Sequence, residues 1–197
     1  MARDPVKSAR RSDRRALRRE IAAVRDVGAD DTALTGHVLA LLDELALGPG
    51  AVVTSYASIP GEPPTRGLNA ALAARGVTVL LPITLPDLDL DWHDADDAGQ
   101  APLGRSAVDR ADLVLAPGLA VDRTGTRMGQ GGGCYDRALP RRRPGTPVVV
   151  LLHPGELLDG AEKPLPRAAH DQPVDAVVTA DGLVDLGLSP WRGPSRA

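Results

Sequence analysis

The stretch Asp112–Arg137, DLVLAPGLAVDRTGTRMGQGGGCYDR, begins with four consecutive apolar residues, Leu113-Val114-Leu115-Ala116. It ends by packing four glycines into Gly129–Gly133, directly ahead of Cys134, Tyr135, Asp136 and Arg137. A short apolar run without polar alternation is the pattern of a strand buried on both faces. A buried strand that feeds a glycine-rich loop and then a helix, here expected from about Cys134 to Leu139, belongs to the α/β class. Glycines let backbone N–H groups turn inward and approach an anion, and Arg127 and Arg137 stand close by in sequence. The spacing is neither GxxxxGK[ST] nor GxGxxG. The residues alone therefore leave a phosphate cradle and a plain surface turn both open. Asp136 has the same ambiguity: a carboxylate matched to a helix N-terminus, or a magnesium ligand beside phosphates.

The rest of the chain supports the same fold class. AVVTSYA (Ala51–Ala57), VTVLLP (Val77–Pro82), PVVVLL (Pro147–Leu152) and VDAVVT (Val174–Thr179) are further buried strands. Leu88, Leu90 and Trp92 alternate with polar residues, as in a half-exposed strand. Helical spacing is visible from about Asp13, as its N-cap, to Gly28, from about Asp31 to Leu47, and over Leu68–Arg75. These elements predict a three-layer α/β fold, a mostly parallel sheet with helices on both faces. Residues 1–190 form one domain, with a basic tail over 1–12 and a C-terminal tail over 191–197. The loops IPGEPPT (Ile59–Thr65), Pro117–Gly133 and HPGE (His153–Glu156) all follow strands. They are expected along one sheet edge, where ligands of such folds bind.

The 197 residues carry a net charge of −3, with 43% hydrophobic and 2% aromatic residues. Residues 1–25 are basic, yet contain no aromatic side chain on which a base could stack, so nucleic acid is not expected as a partner. No run of 18 apolar residues predicts a membrane span, and no apolar stretch follows the basic N-terminus as in a signal peptide. A lone cysteine, Cys134, excludes an internal disulfide and fits a reducing compartment. A cytoplasmic monomer is expected. His37, His93, His153 and His170 show no metal-ligand spacing, and Trp92 and Trp191 read as packing residues. Cys134 lacks an evident histidine partner for a nucleophile's role. A carboxylate–lysine isomerase site is disfavoured because Lys7 and Lys163 are the sole lysines and neither is placed for it.

Taken as one string, ADLVLAPGLAVDRTGTRMGQGGGCYDRAL resembles the signature of the 5-formyltetrahydrofolate cyclo-ligase family. RRALR (Arg14–Arg18), EPPT (Glu62–Thr65) and HDQPVD (His170–Asp175) follow in the order that family shows. The resemblance implies ATP as co-substrate, Mg²⁺, a folate substrate, and closure of 5-formyltetrahydrofolate to the 5,10-methenyl compound with release of ADP and phosphate. It implies ATP contacts from Arg14, Arg18, Arg127, Gly129, Gly131, Gly132, Gly133 and Tyr135. Folate contacts would come from Ala57, Glu62, Gln130, Gly131, Gly132, Gly133 and Cys134. Magnesium would lie on Asp136 and Asp171, and the catalytic group would be Arg127, Tyr135 and Asp136. The chain departs from the pattern at Arg14 (usually Lys), at Gln130, at Gly132 and at Cys134 (usually Tyr). It also lacks a Glu/Gln-Pro pair near Gln100–Val108. A second reading is therefore a relative that binds nucleotide or folate without turnover.

Overall fold

The computed structural model describes residues 5–159 and 164–188; the expected C-terminal tail over 191–197, Lys163 and Trp191 lie outside them. Seven strands form the main sheet. In chain order they are β1 (Val52–Thr54), β2 (Thr78–Thr84), β3 (Leu90–Asp94), β4 (Leu113–Pro117), β7 (Val148–Leu151), β9 (Ala176–Thr179) and β10 (Gly182–Asp185). Their order across the sheet is β10-β9-β7-β4-β1-β2-β3. The five central strands run parallel, and β3 and β10 close the two edges antiparallel. A small second sheet holds β5 (Ala120–Asp122), β6 (Arg127–Met128) and β8 (Leu157–Leu158) in the order β6-β5-β8.

Side-chain alternation along the strands sorts the core into two layers. Leu113, Leu115, Val149, Leu151, Ala176 and Val178 face one side. There they meet Leu34, Val38, Leu41 and Leu42 of α2 (Val27–Glu44) and Leu68 and Leu72 of α3 (Arg66–Ala74). Val114, Ala116, Val148, Val150 and Val177 face the other side. There they meet Trp92, Tyr135 and Ala138 of α4 (Cys134–Ala138), Leu139, and Val108 of the 3₁₀ turn Arg105–Arg110. The predicted three-layer arrangement, mostly parallel with helices on both faces, is the one observed. No helix among the described residues is long and apolar enough to cross a membrane.

The first helix differs from expectation. α1 spans Pro5–Val24, so residues 5–12, predicted as a tail, are helical and Asp13 is an exposed mid-helix residue rather than the N-cap. Proline is well suited to a first helical position, because its missing N–H has no intrahelical partner there anyway. The second helix also starts early. Asp26 caps it, accepting from the N–H groups of Gly28 and Ala29 at 2.9 and 3.1 Å, which places Gly28 inside the first turn. Four strands had no sequence signal: β5, β6, β8 and β10 are two to four residues long, too short for periodicity to register.

Candidate active site

The carboxyl ends of β1, β2 and β4 and the start of the antiparallel β3 meet along one sheet edge. A cleft of ≈ 240 Å³ opens there, and α1 crosses beside it. Each wall has a local cause. After β1 the chain forms a loop closed by Thr65, whose hydroxyl donates to the Tyr56 carbonyl at 2.6 Å and accepts from the Ser58 N–H at 3.1 Å. Within that loop Glu62 Oε2 accepts from the Ile59 N–H at 3.2 Å. The Glu-x-x-Thr spacing thus builds the loop that carries Ala57 and Glu62 into the cleft.

Arg127 comes from a hairpin between β5 and β6. Asp122, wholly buried, closes the turn by accepting from the N–H groups of Thr124 and Thr126 and from the Thr124 hydroxyl, while its other oxygen accepts from the Leu165 N–H. Such aspartate-closed turns are a property of Asp-x-Thr-Gly-type sequences. The hairpin delivers a buried guanidinium. Its Nη1 donates to the Pro117 carbonyl at 3.2 Å, its Nη2 to Asp136 Oδ1 at 2.9 Å, and its Cζ lies 5.5 Å from the Tyr135 ring centroid. The Nε has no partner among the described residues. Tyr135 stands edge-on to the buried Trp92, with ring centroids 6.4 Å apart. Trp92 is a packing residue and does not line the cleft. Burial pushes the Tyr135 hydroxyl well above its ordinary pKa despite the Arg127 charge, so it stays protonated.

The glycine loop hangs between two anchors. Arg15 of α1 holds Gln130 through both its side-chain oxygen (2.9 Å) and its carbonyl. Arg137 donates to the Gly132 carbonyl at 2.7 Å and to the Leu88 carbonyl at 3.3 Å, so it braces the loop. Gly131 and Gly133 have φ of +109° and +70°, a conformation that side chains disfavour. The helix after the loop is only the five residues of α4, followed by a 3₁₀ turn at Leu139–Arg141.

The structure brings Ala57, Glu62, Arg127, Gly129–Gly133, Cys134, Tyr135, Asp136 and Asp171 to one cleft. It does not bring Arg14 or Arg18. Arg14 faces a separate hollow with Arg10 and Leu17. Arg18 is buried against Glu156, with bonds of 2.6 and 2.5 Å, and donates to the Gly118 carbonyl at 2.5 Å. The α1 cations that do line the cleft are Lys7 and Arg11, one turn apart. Sequence reading missed them because it placed both in a tail. Their i, i+4 spacing was a signal once a helix was granted there.

Asp171 is tied to Lys7 at 2.5 Å and accepts from the Ala168 N–H at 2.7 Å. Burial raises its pKa, but the Lys7 ammonium and the Ala168 N–H outweigh that and hold it below the ordinary carboxylate value. The sign follows: a depressed folded-state pKa gives stability that is fully present above about pH 4 and is lost as pH falls through the lower folded value. The expected result is that amide protection in residues 5–15 declines below about pH 4, and that Asp171→Asn flattens this dependence. Protection that ignores both pH and the substitution would contradict it.

As a magnesium site the donors are of the right kind. Asp136 and Asp171 place hard carboxylate oxygens in the cleft, and Mg²⁺ takes one or two carboxylates together with phosphate oxygens. Each is paired with a cation, through one oxygen for Asp136. Among the described residues no cluster of three or more His, Cys, Asp or Glu offers an all-protein cage.

A family model described as the 5-formyltetrahydrofolate cyclo-ligase family matches residues 3–180. The chain is 32% identical over 155 residues to the 5-formyltetrahydrofolate cyclo-ligase of Mycolicibacterium smegmatis, covering 70% of this chain and 78% of that one. Its fold is similar to that of a 5,10-methenyltetrahydrofolate synthetase from Mycoplasma pneumoniae, with TM-score 0.67, 17% identity and coverage of 85% and 99% of the two chains. It is also similar to the Aquifex aeolicus 5,10-methenyltetrahydrofolate synthetase, with TM-score 0.60, 22% identity and coverage of 89% and 94%.

Proposed function

Because the chain belongs to the 5-formyltetrahydrofolate cyclo-ligase family, we propose that it closes 5-formyltetrahydrofolate to 5,10-methenyltetrahydrofolate, consuming ATP in the presence of Mg²⁺. The observation that carries the proposal is that one cleft combines two kinds of wall. Lys7, Arg11, Arg127 and the glycine loop suit a triphosphate, while Ala57, Ile59, Pro82 and Leu90, with Glu62 and Tyr135, suit a flat heterocycle.

In this reading the formyl oxygen attacks the γ-phosphorus of ATP and ADP departs with the bonding pair. The N10 lone pair then attacks the formyl carbon, the carbon–oxygen bond breaks with phosphate as leaving group, and the N10 proton passes to solvent. The protein's contribution is positioning and charge neutralisation. Arg127, fixed by Pro117 and Asp136, presents a rigid guanidinium to the transferring group. The N–H groups of Gly129–Gly133 cradle phosphate oxygens, and Lys7 and Arg11 add charge from α1. Glu62 Oε2 accepts one bond, from Ile59, which leaves acceptor capacity on both carboxylate oxygens for a heterocycle's paired N–H groups. Asp136 and Asp171 would hold magnesium, which supplies neutralisation of the phosphate charge during transfer.

The test is the near-ultraviolet absorbance of the conjugated methenyl product, followed with purified protein, 5-formyltetrahydrofolate, ATP and Mg²⁺. A rise that disappears without ATP is expected. Folded protein that binds both ligands yet gives no rise would instead establish a relative without turnover, the reading that Cys134 in the cleft wall motivates.

A further inference from the structure

The cleft contains a hydroxyl that neither the sequence motifs nor the reaction chemistry above uses. Tyr56 follows β1, is 4% exposed, lines the cleft, and its Oη has no hydrogen-bond partner among the described residues. The backbone around it is well satisfied: its carbonyl accepts from the Thr65 hydroxyl at 2.6 Å and from the Asn69 amide at 3.1 Å, so the residue is held in place. Thr54 Oγ1 and Ser55 Oγ are buried and unpartnered among the described residues too, but neither residue lines the cleft. Tyr135 Oη is in the same state and does line it, but Tyr135 already belongs to the site read from the sequence motif. A buried hydroxyl without a partner is destabilising, and buried polar groups left in this state are uncommon enough to require a reason. A ligand atom within hydrogen-bond reach is one.

The chemistry narrows the ligand. Burial raises the Tyr56 hydroxyl far above its ordinary pKa, which keeps it neutral and able both to donate and to accept. A neutral hydroxyl adds little for phosphates, which Arg127, Lys7, Arg11 and the glycine N–H groups serve better. It suits an amide-type carbonyl or ring nitrogen. We propose that the Tyr56 hydroxyl is a specificity-determining contact for the uncharged, amide-bearing heterocycle of the substrate. This rests on the folate reading above.

Tyr56→Phe tests it, because it keeps the ring and removes only the oxygen. The free variant is expected to unfold at the same temperature as the parent or higher, since an unpaired buried hydroxyl has been removed. Its affinity for 5-formyltetrahydrofolate by titration calorimetry is expected to fall about five- to tenfold, with ATP affinity unchanged. A variant that binds 5-formyltetrahydrofolate like the parent, or that loses both ligands equally, would overturn the assignment and leave Tyr56 a packing residue. A second measurement does not depend on the variant's stability. The chain has two tyrosines, so 3-fluorotyrosine labelling gives two fluorine resonances, and Tyr135→Phe identifies the Tyr56 signal by elimination. That signal is expected to shift with 5-formyltetrahydrofolate and not with ATP; a signal indifferent to the folate would refute the contact. If the unaltered protein binds ATP but no 5-formyltetrahydrofolate, the functional reading itself fails and the Tyr56 contact fails with it.

Discussion

Asp136→Asn is expected to lower turnover at saturating substrates by about three orders of magnitude while leaving the protein folded. Asparagine matches aspartate in shape and keeps an oxygen that can accept from Arg127 Nη2, so the guanidinium retains its position between Pro117 and residue 136. What disappears is the negative charge. In the proposed reaction a hard divalent cation would lose an anionic ligand, and Arg127 loses its counter-charge in a largely buried setting. In that proposed reaction both effects would fall on the transferring phosphoryl group, where charge neutralisation is demanded most. The expected signature is a large fall in kcat with metal-free ATP affinity little changed. Turnover within tenfold of the parent would remove Asp136 from the catalytic group.

The largest effect on stability is expected outside the cleft, at Glu156. Its side chain is 1% exposed, pairs with Arg18 through two bonds, and also accepts from the His153 N–H at 2.9 Å. Arg18 in turn donates to the carbonyl of Gly118, a residue of the cleft wall. Glu156→Ala leaves the guanidinium buried with no counter-charge, a change that costs about 3–5 kcal/mol. At about 2–4 °C per kcal/mol for a chain of this size, the unfolding midpoint should fall by roughly 10 °C. The double change Arg18→Met with Glu156→Leu is expected to recover most of the loss, because replacing a buried pair with apolar side chains is often neutral. A single variant that loses less than about 1 kcal/mol would show that the pair is hydrated.

The cleft was legible where one continuous segment builds it. Asp112–Arg137 reads as a buried strand, a glycine loop and a helix start in sequence order, and these residues remain neighbours in the fold. The β5–β6 hairpin between them was not read, its strands being three and two residues long. Glu62 and Thr65 were legible for the same reason: the loop they make is closed by contacts within ten residues of chain. Residues of α1 were not. Arg14 and Arg18 sit on the same basic helix as Lys7 and Arg11, and composition cannot say which of its faces meets the cleft. Nor does spacing identify Arg18 as a buried partner of a glutamate 138 residues away. Tyr56 was read only as part of a strand, because an unpartnered hydroxyl is a property of its surroundings.

By itself the sequence determined the fold class, because apolar runs of strand length alternating with helical periodicity can bury their surfaces in few ways. It also determined where the glycine loop lies and how freely its backbone turns, because backbone freedom is local to the residue that has it. Only the tertiary structure decided which cations face the cleft, which carboxylates are already paired, and which buried hydroxyls have no partner among the described residues. Those outcomes depend on distances between segments far apart in the chain, and a buried charge or hydroxyl takes its role from whatever polar group packing brings within reach.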